Sequence, residues 1–167
     1  MTDKMNAPAK SKTSKSETPI ELLKQDHATV QSLFKKFAKV KDAKRKEKIV
    51  RTAIEELKIH MAVEEELFYP AVREEFSEDE MEELMDEAME EHHVVKLLIQ
   101  ELDEMGPEDE RFNAKFTVLA ENIQHHIQEE ESEIFPKVKR SDANSEEIGA
   151  RMAEFKQDNE KMFRKAA

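Results

Sequence analysis

Apolar residues recur at intervals of three and four along most of the chain, which is the signature of helices that bury one face. A first helix, A, is expected from Thr18-Pro19, where Thr suits the cap, Pro the first helical position, and Glu21 completes a capping box. Its stripe is Leu23, His27, Val30, Phe34 and Phe37. Helix B starts near Asp42 and carries Ile49, Ala53, Leu57, His60, Glu64 and Leu67 on one face. Pro70 removes a backbone donor, so a kink or pause is expected near Phe68-Tyr69, with residues 71–76 finishing the helix. Ser77 and Glu80 read as a second capping box, and helix C follows to about Glu104 with Leu84, Ala88, His92, Val95, Ile99 and Leu102 inward. Gly106-Pro107 ends it. Helix D is expected from Pro107 to Lys139, with Phe116, Leu119, Ile123, His126, Glu130 and Ile134 inward and Pro136 repeating the kink. After a loop at residues 141–145, a final helix carries Ile148, Met152, Phe155 and Phe163.

The stripes repeat. His27 recurs at His92, His60 at His126, and Pro70 at Pro136, at separations of about 65 residues. Asp26-His27 is echoed by Glu91-His92. Helices A and B therefore form one helical hairpin and C and D its copy. The expected fold is all-α: an antiparallel up-down-up-down four-helix bundle with an additional C-terminal helix. Residues 1–17 read as a disordered tail, 18–140 as the bundle and 141–167 as a helical extension.

The interruptions in the stripes carry the chemistry. His60 and Glu64 stand four apart, as do His126 and Glu130. On a helix that spacing puts both side chains on one face, roughly 6 Å apart along the axis. With His27 and His92, four imidazoles and two carboxylates point into one interior. No lysine or arginine shares those stripes, and a buried ionised group costs several kcal/mol even after relaxation. Metal ions are the compensation. Six ligands suit two ions bridged by the carboxylates better than one, and nitrogen and oxygen donors without sulfur suit iron or manganese and admit zinc. A lone inward histidine, or one His–Glu pair, would read as an ordinary core residue or ion pair; the matched repeat is what points to a metal. His93 and His125 neighbour proposed ligands but point about 100° away. The acidic run from Glu74 to Glu91 reads as a solvated face.

Composition narrows the rest. The 167 residues include two glycines, no tryptophan and 40% charged side chains, a helical composition. No cysteine is present, which excludes disulfides, thiolate metal sites and iron–sulfur clusters. A net charge of −12 repels nucleic acid and anionic membranes. No leader-like or membrane-spanning apolar run is seen, so the cytoplasm is the expected location.

The segments DHATVQSLF, HMAVEEELFYP, EEHHVVKLLI and HHIQEEESEIFP resemble the four ligand helices of the hemerythrin-like (HHE) cation-binding family, over about residues 18–140. The resemblance implies an antiparallel bundle around a non-haem di-iron centre. By matching position it assigns His27 and His60 to one iron and His92 and His126 to the other, with Glu64, Glu130 and an oxo or hydroxo group bridging them. Oxygen-carrying hemerythrins have a further histidine one turn before the helix C ligand, where this chain has Ala88. Water, or a carboxylate such as Glu87 or Glu91, would have to fill that place. Glu131 is an alternative to Glu130 as the second bridge; Glu130 is preferred because it shares the offset of Glu64.

The function expected first is a di-iron protein binding oxygen or a related small molecule, as sensor, store or scavenger. Leu67, Val95, Ile99, Ile123 and Ile127 are expected to line an apolar pocket. The second expectation, favoured by Ala88, is an enzyme acting on hydrogen peroxide or nitric oxide. The third is a metal-free helical interaction module. A ferritin-like site expects Glu-x-x-His pairs, the reverse of the order here.

Overall fold

Thr18 starts the first helix by the expected reciprocal cap: its hydroxyl accepts from Glu21 N while the Glu21 carboxylate accepts from Thr18 N at 2.8 Å. In the computed structural model, which describes residues 16–77 and 79–166 (backbone only for 163–166), α1 spans Pro19–Lys39. Asp42 caps α2, which covers Ala43–Val63, passes through a π-helical turn at Glu64–Phe68 and continues as Tyr69–Glu75. Helix α3 is Asp79–Asp103. Helix α4 covers Phe112–Glu129, a second π-helical turn at Glu130–Ile134, and Phe135–Val138. A short 3₁₀ turn, Asp142–Asn144, leads into α5, Glu146–Ala166. No strand occurs among the described residues.

Helices α1 and α2 pack as one hairpin and α3 and α4 as the other, with α5 laid across α1 and α2. The fold is the expected bundle with an extra C-terminal helix. Arg51 of α2 ties the hairpins at one end, donating to the Leu102 and Met105 carbonyls at 2.9 and 2.7 Å. Leu102 lies in the last turn of α3, where its carbonyl also accepts from Met105 N at 3.2 Å, and Met105 lies just past the helix end.

One expectation needs correction. Helix D does not start at Pro107. Residues 106–111 are held as turns, with Asp109 N donating to Gly106 O and the Asp109 carboxylate accepting from Gly106 N, so α4 begins at Phe112. The expected pause ahead of Pro70, and its repeat ahead of Pro136, are both present, and each helix continues beyond. The pause is a π-helical turn in each half, closed by Tyr69 N to Glu64 O and by Phe135 N to Glu130 O. Pro70 and Pro136 follow in the first turn of the resumed α-helix, where a missing N–H costs least. The wide turn also shifts the inward phase: Phe68, Tyr69 and Val72 are buried, while Leu67 is only half-buried. Ile49 and Leu84 are likewise half-buried, beside fully buried Val50 and Met85. The tail at residues 1–15, Glu78 beside the proposed Ser77 cap, and the Phe163 side chain lie outside the described residues.

The core has two parts. One holds Leu23, Val63, Phe68, Met85, Ile134 and Phe135, the other Val30, Leu57, Met61, Val95, Ile99 and Ile123. On α1, α2, α3 and α4 the site residues fall between members of these two clusters, so a polar layer crosses the bundle between two apolar ones.

Candidate metal centre

All six sequence-predicted residues meet in that layer, each no more than 3% exposed: His27, His60, Glu64, His92, His126 and Glu130. They form two groups that share Glu64. One is His27, His60, Glu64 and Glu130; the other is Glu64, His92 and His126. Within each group one donor atom per residue lies within 4.8 Å of all the rest. The Nε2 atoms face inward. His27 Nε2 is 3.2 Å from Glu130 Oε2, His60 Nε2 is 3.1 Å from Glu64 Oε1, and His92 Nε2 is 3.2 Å from Glu64 Oε2. His126 Nε2 is 3.6 Å from Glu130 Oε2.

The outward nitrogens decide what the inward ones can do. Each Nδ1 meets a carboxylate: His27 with Glu131 at 2.8 Å, His60 with Asp26 at 3.3 Å, His92 with Glu65 at 2.8 Å and His126 with Glu91 at 2.7 Å. An ionised carboxylate only accepts, so Nδ1 carries a proton and Nε2 is the nitrogen left to take a second proton or a metal ion. Rings fixed in this way are the arrangement that orients histidine ligands for a metal. The His92 and His126 Nε2 atoms then oppose each other at 3.1 Å. Two lone pairs at that distance repel unless a cation or proton lies between them. The buried atoms His27 Nε2, His60 Nε2, Glu64 Oε1 and Glu130 Oε2 have no hydrogen-bond partner, which is costly in a protein interior. A metal ion in each group would satisfy these atoms, so the residues fit metal.

Electrostatics agrees. Burial alone would lower the His60 pKa, but Glu64 and Asp26 outweigh it and raise it to about 10. Burial would also lower His126, yet Glu130, Glu64 and Glu91 hold it well above its ordinary value. Burial pushes Glu64 up, but the surrounding imidazoles hold it well below the usual carboxylate range. The site gathers positive charge from whatever source is present, proton or metal.

Among the residues around these six, Glu130 takes the interior place preferred for it, and Leu67 does not join the expected lining. Glu131 is exposed and holds His27 from outside, while Glu130 occupies the interior. Glu91 does not stand in for the missing ligand at Ala88, because its carboxylate is engaged on His126 Nδ1; Glu87 is exposed, and Ala88 packs in the apolar core. His93 and His125 point away from the interior and are exposed. Val95, Ile99, Ile123 and Ile127 share one apolar cluster, but Leu67 packs against the other.

Tyr69 was not expected in the site. It is buried, and its hydroxyl donates to Glu130 Oε1 at 2.9 Å and lies 3.4 Å from Glu64 Oε2. Burial and both carboxylates raise its pKa well above normal, so it remains a donor. The signal was in the repeat: Tyr69 aligns with Phe135, and a hydroxyl distinguishes the two. Tyr69 stacks on His92 and Phe135 on His27, with ring centroids 5.6 and 5.8 Å apart.

A model of the hemerythrin HHE cation binding domain matches residues 18–138. The chain belongs to the hemerythrin HHE cation-binding family. Among solved structures, a hemerythrin HHE cation binding domain-containing protein from Mycobacterium kansasii superposes with a TM-score of 0.70. It is 24% identical, and the match covers 85% of this chain and 86% of that one, a likeness of fold. A DNA nickase from Nostoc sp. is 28% identical over 136 residues, which are 81% of this chain and 37% of the relative. The chain thus spans little more than a third of that protein's length. The HHE match ends at Val138, so α5 lies beyond it. Among the described residues no helix is long and apolar enough to cross a membrane.

Proposed function

We propose that the chain is a non-haem di-iron protein that binds oxygen or a related small molecule, as a sensor, store or scavenger. One observation carries the reading: four imidazole Nε2 atoms and two carboxylates converge while every outward nitrogen is already held. Donors of nitrogen and oxygen without sulfur suit iron, with manganese or zinc as competitors. His27, His60 and Glu130 would hold one ion and His92 and His126 the other, with Glu64 shared between them. The ions, when bound, supply the redox chemistry and the coordination positions that a small ligand uses.

The chain's own part is orientation and the exclusion of water. Asp26, Glu65, Glu91 and Glu131 fix the rings, and Tyr69 steadies Glu130. Val95, Ile99, Ile123 and Ile127 keep one side of the polar layer dry; Phe68 and Phe135 keep the other. The test is the absorption spectrum of the iron-loaded, anaerobically reduced protein before and after oxygen, peroxide or nitric oxide is admitted. A binding protein gives a single spectral change per ligand addition. No change with any of the three would end this reading.

A second reading, turnover of peroxide or nitric oxide, is supported by the inequality of the two groups, four residues against three. The ion with fewer protein ligands is the more open to exchange. Sustained peroxide consumption, lost in His60→Ala, would favour it. Nicking of DNA, named for the Nostoc relative, is not carried over: a net charge of −12 opposes phosphate binding.

A further inference from the structure

We propose that Lys156, on the C-terminal helix beyond the HHE match, is a positioning residue of the metal centre, acting through Asp26 on His60. The inference rests on the metal reading above.

The four carboxylates that hold the histidines are not equivalent. The Glu91 and Glu131 side chains are 20% and 38% exposed, and water can reach them. Glu65 takes Lys96 as a second partner from the adjacent bundle helix α3. Asp26 is the most enclosed, with its side chain 11% exposed, and makes the longest contact, 3.3 Å to His60 Nδ1. Its other oxygen, Oδ1, accepts from Lys156 Nζ. One carboxylate is thus held from both sides, by a ligand histidine and by a cation from α5. Without the cation, a nearly buried carboxylate keeps only its weakest partner and has reason to turn toward water. His60 would then lose the acceptor that sets its ring.

Independent features fix α5 where Lys156 can do this. Gly149 lies so close to the residues leading into α1 that a Cβ there would come within 1.9 Å of the Glu17 carbonyl oxygen. Asn144 Oδ1 accepts from Ile20 N at 3.0 Å, and Met152 is fully buried. Gly149, Met152 and Lys156 follow a helical i, i+3, i+7 pattern, so one face of α5 carries both the docking contacts and the cation. The other cation-bearing partner, Lys96, belongs to the repeat-built bundle; Lys156 has no counterpart in the repeat. The His27/His60 half of the centre therefore depends on α5 remaining docked.

The test uses the full chain loaded with Co(II), following release of each ion to excess chelator by its absorption bands. The expected result is two ions in the wild type. K156M should release one of them about 10-fold faster, the cost typical of losing an outer partner. K156R should restore the wild-type rate. D26N should behave as K156M, and the double variant should be no worse than D26N alone. Release of both ions at wild-type rates from K156M would overturn the proposal. So would a defect that K156R does not rescue, or that adds in full to D26N, because either assigns the loss to packing of α5. If circular dichroism shows that K156M does not fold, D26N and D26N/K156R replace it, with equal release from the pair expected and further loss in the pair contrary. A wild type that binds no Co(II) would overturn the metal reading and this inference together, a result distinct from wild-type binding with unchanged variants.

Discussion

The two hairpins are copies that have been made unequal. In each, the first helix gives a lone histidine and the second a His–Glu pair, and a π-helical turn begins at the glutamate. In each, the carboxylate before the lone histidine holds the other histidine of its own hairpin: Asp26 holds His60 and Glu91 holds His126. The lone histidines are held across the bundle, His27 by Glu131 and His92 by Glu65. That exchange locks the hairpins face to face. The differences sit on this shared frame. Tyr69 donates to the central carboxylates where its counterpart Phe135 cannot. Asp26 is roofed by Lys156, whereas Glu91 looks outward to exposed His125. The repeat supplies the inward histidines and glutamates, and departures from the repeat change which groups hold them.

Breaking the comparison at its centre should have the largest effect. Glu64 belongs to both groups, so Glu64→Ala should abolish binding of both ions, beyond the roughly 10–100-fold cost of losing an outer partner. Equilibrium dialysis against Fe(II) or Co(II) measures it. Next come the paired truncations His60→Ala and His126→Ala. Each should leave one ion bound, and the ion lost should differ between them, read as distinct residual Co(II) spectra.

The metal-free chain should be sensitive to pH. His60 is held at about 10 when folded against an ordinary value near 6.5. The stability it contributes is therefore complete below pH 6.5 and is lost as pH rises toward 10. Glu64, held low, contributes stability that is present above its ordinary value of 4.5 and lost on acidification. Thermal unfolding of metal-free protein should thus show greatest stability at about pH 5–6 and decline toward pH 10. Loaded protein should resist the alkaline decline, because metal binds unprotonated rings. The smallest effect sharpens the difference between the halves. Tyr69→Phe makes the first hairpin match the second and strips a donor from buried Glu130, which should cost the metal-free chain about 1–3 kcal/mol in denaturant unfolding.

The helices and all six inward polar residues were legible because a 3.6-residue stripe interrupted by histidine and glutamate is visible without coordinates. What escaped was set by backbone detail or by long-range pairing. The start of α4 was decided by Asp109 closing a turn on Gly106, a choice that the favourable Gly-Pro signal obscured. The π-helical turns add a residue to one turn, which moved Tyr69 inward and Leu67 partly outward; α-helical spacing cannot foresee such a shift. Lys156 lies 130 residues from Asp26, and no local pattern joins them.

The central claim is that the polar layer is built around two iron ions, and iron content of the purified chain measures it most directly. Two irons per chain, with near-ultraviolet absorption of a bridged diferric pair that disappears on anaerobic reduction, is the result expected. A chain that holds no iron, even after anaerobic reconstitution with Fe(II), would contradict the claim and leave another metal or a metal-free helical interaction module in its place.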